Sequence, residues 1–182
     1  MADFEERRLP VGIQSFKEIR RNNYAYVDKT EIVWNLVNRG KKYNYLSRPR
    51  RFGKSLLVDT LQTYFEGRSD LFEGLKIMNL EKEWKKSPVI RLDMSRAGAS
   101  EKTIRSYLSM AFSREEAKYG ITMHEGASLA DRFDTIIQTA CQQTGESVAI
   151  LIDEYDSPLQ HSWKTPDHEA CTAVYREVFA IL

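Results

Sequence analysis

Val148-Ala-Ile-Leu-Ile152 is an unbroken apolar run, with Gly145 before it and Asp153-Glu154 directly after it. So short a run without polar alternation predicts a strand buried on both faces, which requires a parallel sheet flanked by helices. Two further segments read as strands, Tyr43 to Ser47 and Val89 to Met94. Each is approached through a helical pattern. Residues 28 to 40 carry Ile32, Val33, Leu36 and Val37 on one stripe, with Asp28 and Glu31 at the start and Gly40 at the end. Ser55 to Glu66 is a second helix, residues 101 to 119 a third, a fourth opens at Ser128 with Asp131, and a last one starts at Thr165 and Pro166. Three strands alternating with helices define the fold class as α/β with a mostly parallel sheet. The chain ends inside the last pattern, at Phe179-Ala-Ile-Leu182, so the core is expected to continue past residue 182.

The 182 residues suit a single ordered domain spanning 1 to 182, with 42% hydrophobic and 29% charged side chains. Two cysteines are too few for a disulfide scaffold, and the three histidines, His124, His161 and His168, show no zinc-ligand spacing. No apolar run of membrane-spanning length occurs and the N-terminus is acidic, so the expected location is cytoplasmic, with no membrane partner. Charge is unevenly spread: residues 1 to 60 sum to +6, residues 61 to 120 to +2, and residues 121 to 182 to −7. Halves that pack with complementary potential explain this more simply than a nucleic-acid face. Arg20, Arg21, Arg39, Lys41 and Lys42 read as a solvated surface lacking the interleaved aromatics of single-strand binders. His161 and His168 read as surface or capping residues, and Trp34, Trp84 and Trp163 as packing.

Between the first strand and its helix runs Ser47-Arg-Pro-Arg-Arg-Phe-Gly-Lys-Ser55. It ends as the phosphate-binding pattern G-x-x-x-x-G-K-[ST] ends. Gly53 lets the backbone approach an anion closely, and the N–H groups of residues 53 to 56, Leu56 included, point towards it. Lys54 supplies an ammonium for the β and γ phosphates, and the Ser55 hydroxyl joins a magnesium shell. The pattern's first glycine is replaced by Arg48, which reshapes the turn, while Arg50 and Arg51 add positive charge around Phe52. The acid pair after Ile152 completes the set. Asp153 holds Mg2+, directly or through water, and Glu154 is placed to take a proton from the attacking water.

Five segments together, Leu9-Pro-Val-Gly-Ile-Gln-Ser-Phe16, Tyr26-Val-Asp-Lys-Thr30, Ser47 to Leu57, Tyr64-Phe-Glu-Gly67 and Ile152-Asp-Glu-Tyr-Asp156, resemble the bacterial AAA-ATPase-like family. The resemblance covers nearly the whole chain. It implies a P-loop, three-layer α/β/α core, truncated here after its third strand and helix, and a family-specific element over Leu9 to Lys29. It implies ATP and Mg2+ as cofactors and a C-terminal nuclease-like domain outside these residues through which nucleic acid is a partner; relatives of this broad class form homo-oligomeric rings or act as monomeric switches, and the truncated sheet adds strand exchange between copies as a third route. The expected activity is an ATPase working as motor or switch. Two rivals stay open at this point: a nucleotide-binding or assembly module without turnover, and a nucleic-acid-binding domain using the basic first third.

Overall fold

The computed structural model describes residues 7–47, 49 and 51–182. The chain forms two compact units, Met1–Ser87 and Pro88–Leu182.

The first unit is helical. Ser15 caps α1 (Phe16–Arg21) by accepting the Glu18 N–H, and Phe16 and Ile19 are its buried side chains. α2 spans Thr30–Asn38, α3 spans Lys54–Phe65, and a short α4 spans Ile77–Leu80. Phe16, Val33, Tyr64, Leu71, Phe72, Leu75 and Ile77 make the core, with the Phe16 ring 5.3 Å from Tyr26 and 4.8 Å from Phe72. The Phe16 N–H donates to Asp59 Oδ2 at 2.7 Å, which fastens the N-terminal element to α3. The start of α2 departs from expectation in detail. Lys29, not Asp28, is the N-cap residue, yet the Asp28 carboxylate still accepts from both the backbone and the hydroxyl of Thr30.

The strand expected over Tyr43 to Ser47 does not form. Tyr43 and Tyr45 are 62% and 79% exposed there. A strand exists only through a ladder partner, and the described residues of this unit contain no other strand to provide one.

The second unit carries the sheet. β1 (Val89–Asp93) lies parallel to β2 (Ala149–Asp153), in a register that sets Ile90 beside Ile150, Leu92 beside Ile152 and Asp93 beside Asp153. Between them in sequence come α5 (Glu101–Tyr119) and α6 (Leu129–Thr144), and after β2 come α7 (Ser157–Ser162) and α8 (His168–Phe179). Ile90 and Leu92 share one core with Ile104, Leu108 and Phe112 of α5, Phe133 and Ile136 of α6, and Val174 and Val178 of α8. Ile150 and Ile152 pack against the same cluster, so this one sheet face is the covered one in the unit's core. β2 is less buried than its apolar run suggests, with residues 149 to 152 all partly exposed. The chain is therefore α/β, with a parallel sheet of two strands among the described residues.

α5 and α6 are joined by Arg132, whose guanidinium donates two hydrogen bonds to the Glu116 carboxylate, at 2.7 and 2.8 Å, and also reaches Ser109 and Ser113. The last helix starts later than Thr165: the Thr165 hydroxyl bonds the Ser162 carbonyl, and Asp167 stands at the N-cap. Trp163 corrects a second expectation, being 62% exposed where packing was foreseen. No described helix is long and apolar enough to cross a membrane.

Candidate functional site

The two motifs singled out in the sequence fall on two loops, one in each unit. In the first unit the chain turns through Arg51 (φ 68°) and Gly53 (φ 75°), both left-handed, on either side of an exposed Phe52. Gly53 is the N-cap of α3, and its carbonyl accepts the Leu57 N–H at 3.0 Å, so helical bonding starts there. A Cβ placed on Gly53 would meet nothing within 4 Å among the described residues, so glycine is required there by conformation rather than by crowding. Lys54 and Ser55 follow as the first two helical residues, with Leu56 next, all partly buried. Their backbone N–H groups belong to the helix's first turn, where an α-helix has donors without internal partners and a positive dipole end. Arg48 and Arg50 lie outside the described residues.

In the second unit β2 ends on Asp153, which is 7% exposed. Its Oδ1 accepts the Glu154 N–H at 3.0 Å, and Glu154 takes a left-handed φ of 49°. That conformation costs a residue with a side chain about 1–2 kcal/mol, so something around it must fix the turn. Two bonds do so. The Glu154 carbonyl accepts the Ser157 N–H at 2.9 Å, and the Tyr175 hydroxyl of α8 donates to the Tyr155 carbonyl at 2.8 Å. Burial pushes the Tyr175 hydroxyl's pKa well above the ordinary tyrosine value, so it keeps its proton for that bond. His161 holds Nδ1 at 2.7 Å from the Ser157 carbonyl, and His168 lies 3.2 Å from Ser162, which are helix-local roles.

Taken one by one, Ser55 in the first unit offers a hydroxyl and Asp153 in the second a carboxylate, hard oxygen donors of the kind Mg2+ takes, and no group of three or more His, Cys, Asp or Glu able to hold a metal exists among the described residues.

Asp93 ends β1 as Asp153 ends β2, and the two are register partners at the carboxyl ends of adjacent parallel strands. Both strands end alike in the sequence: Ile90-Arg-Leu-Asp93 and Ile150-Leu-Ile-Asp153 each set apolar residues two apart and an aspartate directly after the second.

A curated relative, an uncharacterized protein in the vnfD 5' region of Azotobacter chroococcum mcd 1, is 36% identical over 163 residues, covering 88% of this chain. The chain spans about a third of that relative, 31% of its length. No solved structure matches. The AAA-ATPase-like family, described as predicted AAA-ATPases, matches residues 10–182. With a match that takes in both loops and nearly everything between its ends, the chain belongs to that family.

Proposed function

We propose that the chain is the nucleotide-handling part of a Mg2+-dependent ATPase, built as a P-loop core. Arg50, Arg51, Phe52, Gly53, Lys54, Ser55 and Leu56 hold the phosphates, Ser55 and Asp153 hold the metal, and Glu154 serves as base for the water that attacks the γ-phosphate. Bound Mg2+ supplies charge neutralisation to the phosphates. The observation that carries the reading is Gly53, left-handed and uncrowded by any described residue on its Cβ side, as the cap of a twelve-residue helix beginning Lys54-Ser55. A left-handed glycine at that point lets the chain deliver consecutive N–H groups to an anion. In the whole protein, hydrolysis would drive a motor or switch in the cytoplasm, acting on nucleic acid or on a partner protein.

Equilibrium binding of ATP and ADP, with and without Mg2+, tests the phosphate site. Micromolar binding lost in Lys54→Ala is the expected result, and equal binding by both proteins would overturn the assignment. Glu154→Gln should keep ATP affinity while lowering turnover about 10²-fold or more, as loss of a general base does. Wild-type binding with no turnover in the full-length protein would favour a non-hydrolysing nucleotide module instead.

A further inference from the structure

We propose that Lys41, Lys42, Tyr43 and Tyr45 form a contact site for single-stranded nucleic acid, the rings stacking on bases and the ammonium groups meeting phosphates. What the contact serves rests on the ATPase reading above; the contact itself does not. A strand over Tyr43 to Ser47 would send alternate side chains into a core and leave Lys41 and Lys42 a plain solvated surface. That strand does not form, and both tyrosines stand mostly in water. Among the described residues five aromatic side chains are exposed, and three of them, Tyr43, Tyr45 and Phe52, fall within the ten residues 43 to 52. Phe16, Tyr64 and Phe72 of the same unit are buried, so the unit has a core that these three rings do not enter. Apolar surface gathered in one exposed segment marks a place of contact.

Charge decides what kind of partner fits. Residues 32 to 58 hold seven lysines and arginines and no aspartate or glutamate, and Lys41 and Lys42 are exposed within that stretch. Local contacts hold the segment in shape. The Asn44 side-chain amide donates to the Lys41 carbonyl at 2.7 Å, and the Lys42 ammonium lies 4.9 Å from the centre of the Tyr43 ring. Rings set among cations in this way take bases on their faces and phosphates on the charges, with little regard to base sequence. Other anionic partners fit less well. An acidic peptide meets the charges but offers carboxylates rather than flat faces to the rings. A lipid surface would have to accept backbone from residues 41 to 47, which form neither helix nor strand, and such backbone is costly to place in an apolar layer. A duplex keeps its base faces inside its own stack, whereas a single strand presents both phosphates and open faces.

The readout is fluorescence anisotropy of a short labelled oligothymidylate titrated with the full chain at low salt. Tyr45→Ala is expected to raise the Kd about tenfold, the loss typical of one stacked base, while Tyr45→Phe keeps the ring and binds as the wild type does. Because Tyr45 is exposed, neither variant removes core packing, and equal thermal midpoints check this. Lys41→Gln combined with Lys42→Gln should weaken binding and flatten the dependence of log Kd on log salt by about 0.7 for each phosphate contact removed. ATP affinity is expected to stay unchanged in Tyr45→Ala.

An unchanged Kd in Tyr45→Ala, or a loss just as large in Tyr45→Phe, overturns the proposal. So does a duplex of the same length bound as tightly, or phosphatidylserine vesicles or polyglutamate bound more tightly than the oligothymidylate. A matching loss of ATP affinity in Tyr45→Ala would place the ring in the nucleotide site and overturns the proposal too. Absence of oligothymidylate binding overturns it outright, and the nucleotide reading then stands without it if Lys54→Ala abolishes ATP binding. Tyr45-dependent oligothymidylate binding by a chain that binds no ATP supports the contact site and overturns the nucleotide reading instead.

Discussion

Asp28 shows how one side chain can close two gaps in the backbone. Its carboxylate accepts the Thr30 N–H at 2.9 Å, the Thr30 hydroxyl at 2.7 Å and the Lys76 N–H at 2.7 Å, tying the start of α2 to the approach to α4. Burial alone would raise its pKa, but these donors outweigh it and hold the group below the ordinary aspartate value. The folded pKa is thus lower than the unfolded one. The stabilisation is complete above the unfolded value of about 3.9 and is lost as pH falls through the folded value. Denaturant midpoints measured from pH 7 down to pH 2 should fall for the wild-type chain, and Asp28→Asn should flatten part of that fall while starting from a lower midpoint at pH 7. An acid dependence identical in the two proteins would show that Asp28 is not among the groups responsible.

At the scale of elements, α5 has the most fully specified start. The Ser100 side chain accepts the Thr103 N–H at 3.3 Å while the Thr103 hydroxyl receives the Ser100 N–H at 3.2 Å, a reciprocal box. Just ahead of it Gly98 has φ 75°, and a Cβ there would fall 2.6 Å from Thr103 Oγ1. Ser100→Ala should therefore cost about 1 kcal/mol through the lost cap. Gly98→Ala should cost more, because it adds a left-handed penalty of about 1–2 kcal/mol to a displaced Thr103. Chemical denaturation of the two variants checks the order. Elements like this were legible in the sequence because their signals are local: the stripe Ile104, Leu108, Phe112 in α5, the cap Ser128 with Asp131 in α6, and the apolar run before Asp153. Tyr43 to Ser47 was misread for the complementary reason. Strand propensity can be read from one segment, but a ladder depends on a second segment that the pattern does not name. The candidate site divides in the same way. Gly53, Lys54, Ser55, Asp153 and Glu154 announce themselves by motif, whereas the pairing of Asp93 with Asp153 comes only from the register between two strands far apart in the sequence. The left-handed backbone of Arg51 and Glu154 has no sequence signal, since neither residue type favours it.

On the scale of the molecule, the boundary between units falls at Ser87 and Pro88, and each side of it is tied inward. The Ser87 N–H donates to the Phe65 carbonyl at 2.7 Å, and the Pro88 carbonyl accepts the Ala149 N–H at 2.8 Å. Each unit has its own aromatic core, around Phe72 in the first and around the stacked Phe112 and Phe133 in the second, with ring centroids 4.9 Å apart. The three tryptophans divide along the same line: Trp34 and Trp84 pack on the first core, while Trp163 belongs to the second unit and is 62% exposed with its ring edge-on to His168 at 5.0 Å. That placement gives the chain built-in optical labels. Indoles shielded from water emit at shorter wavelength than wetted ones, so the native spectrum should be a sum of a blue component from Trp34 and Trp84 and a red component from Trp163. Trp163→Phe should remove the red component and leave a spectrum whose shift on unfolding reports the first unit alone. A native spectrum that keeps its red shoulder in that variant would show that the first unit's indoles are wet. With the label isolated, a titration with ATP can be followed from within the unit that carries Gly53 and Lys54, without attaching a dye to either.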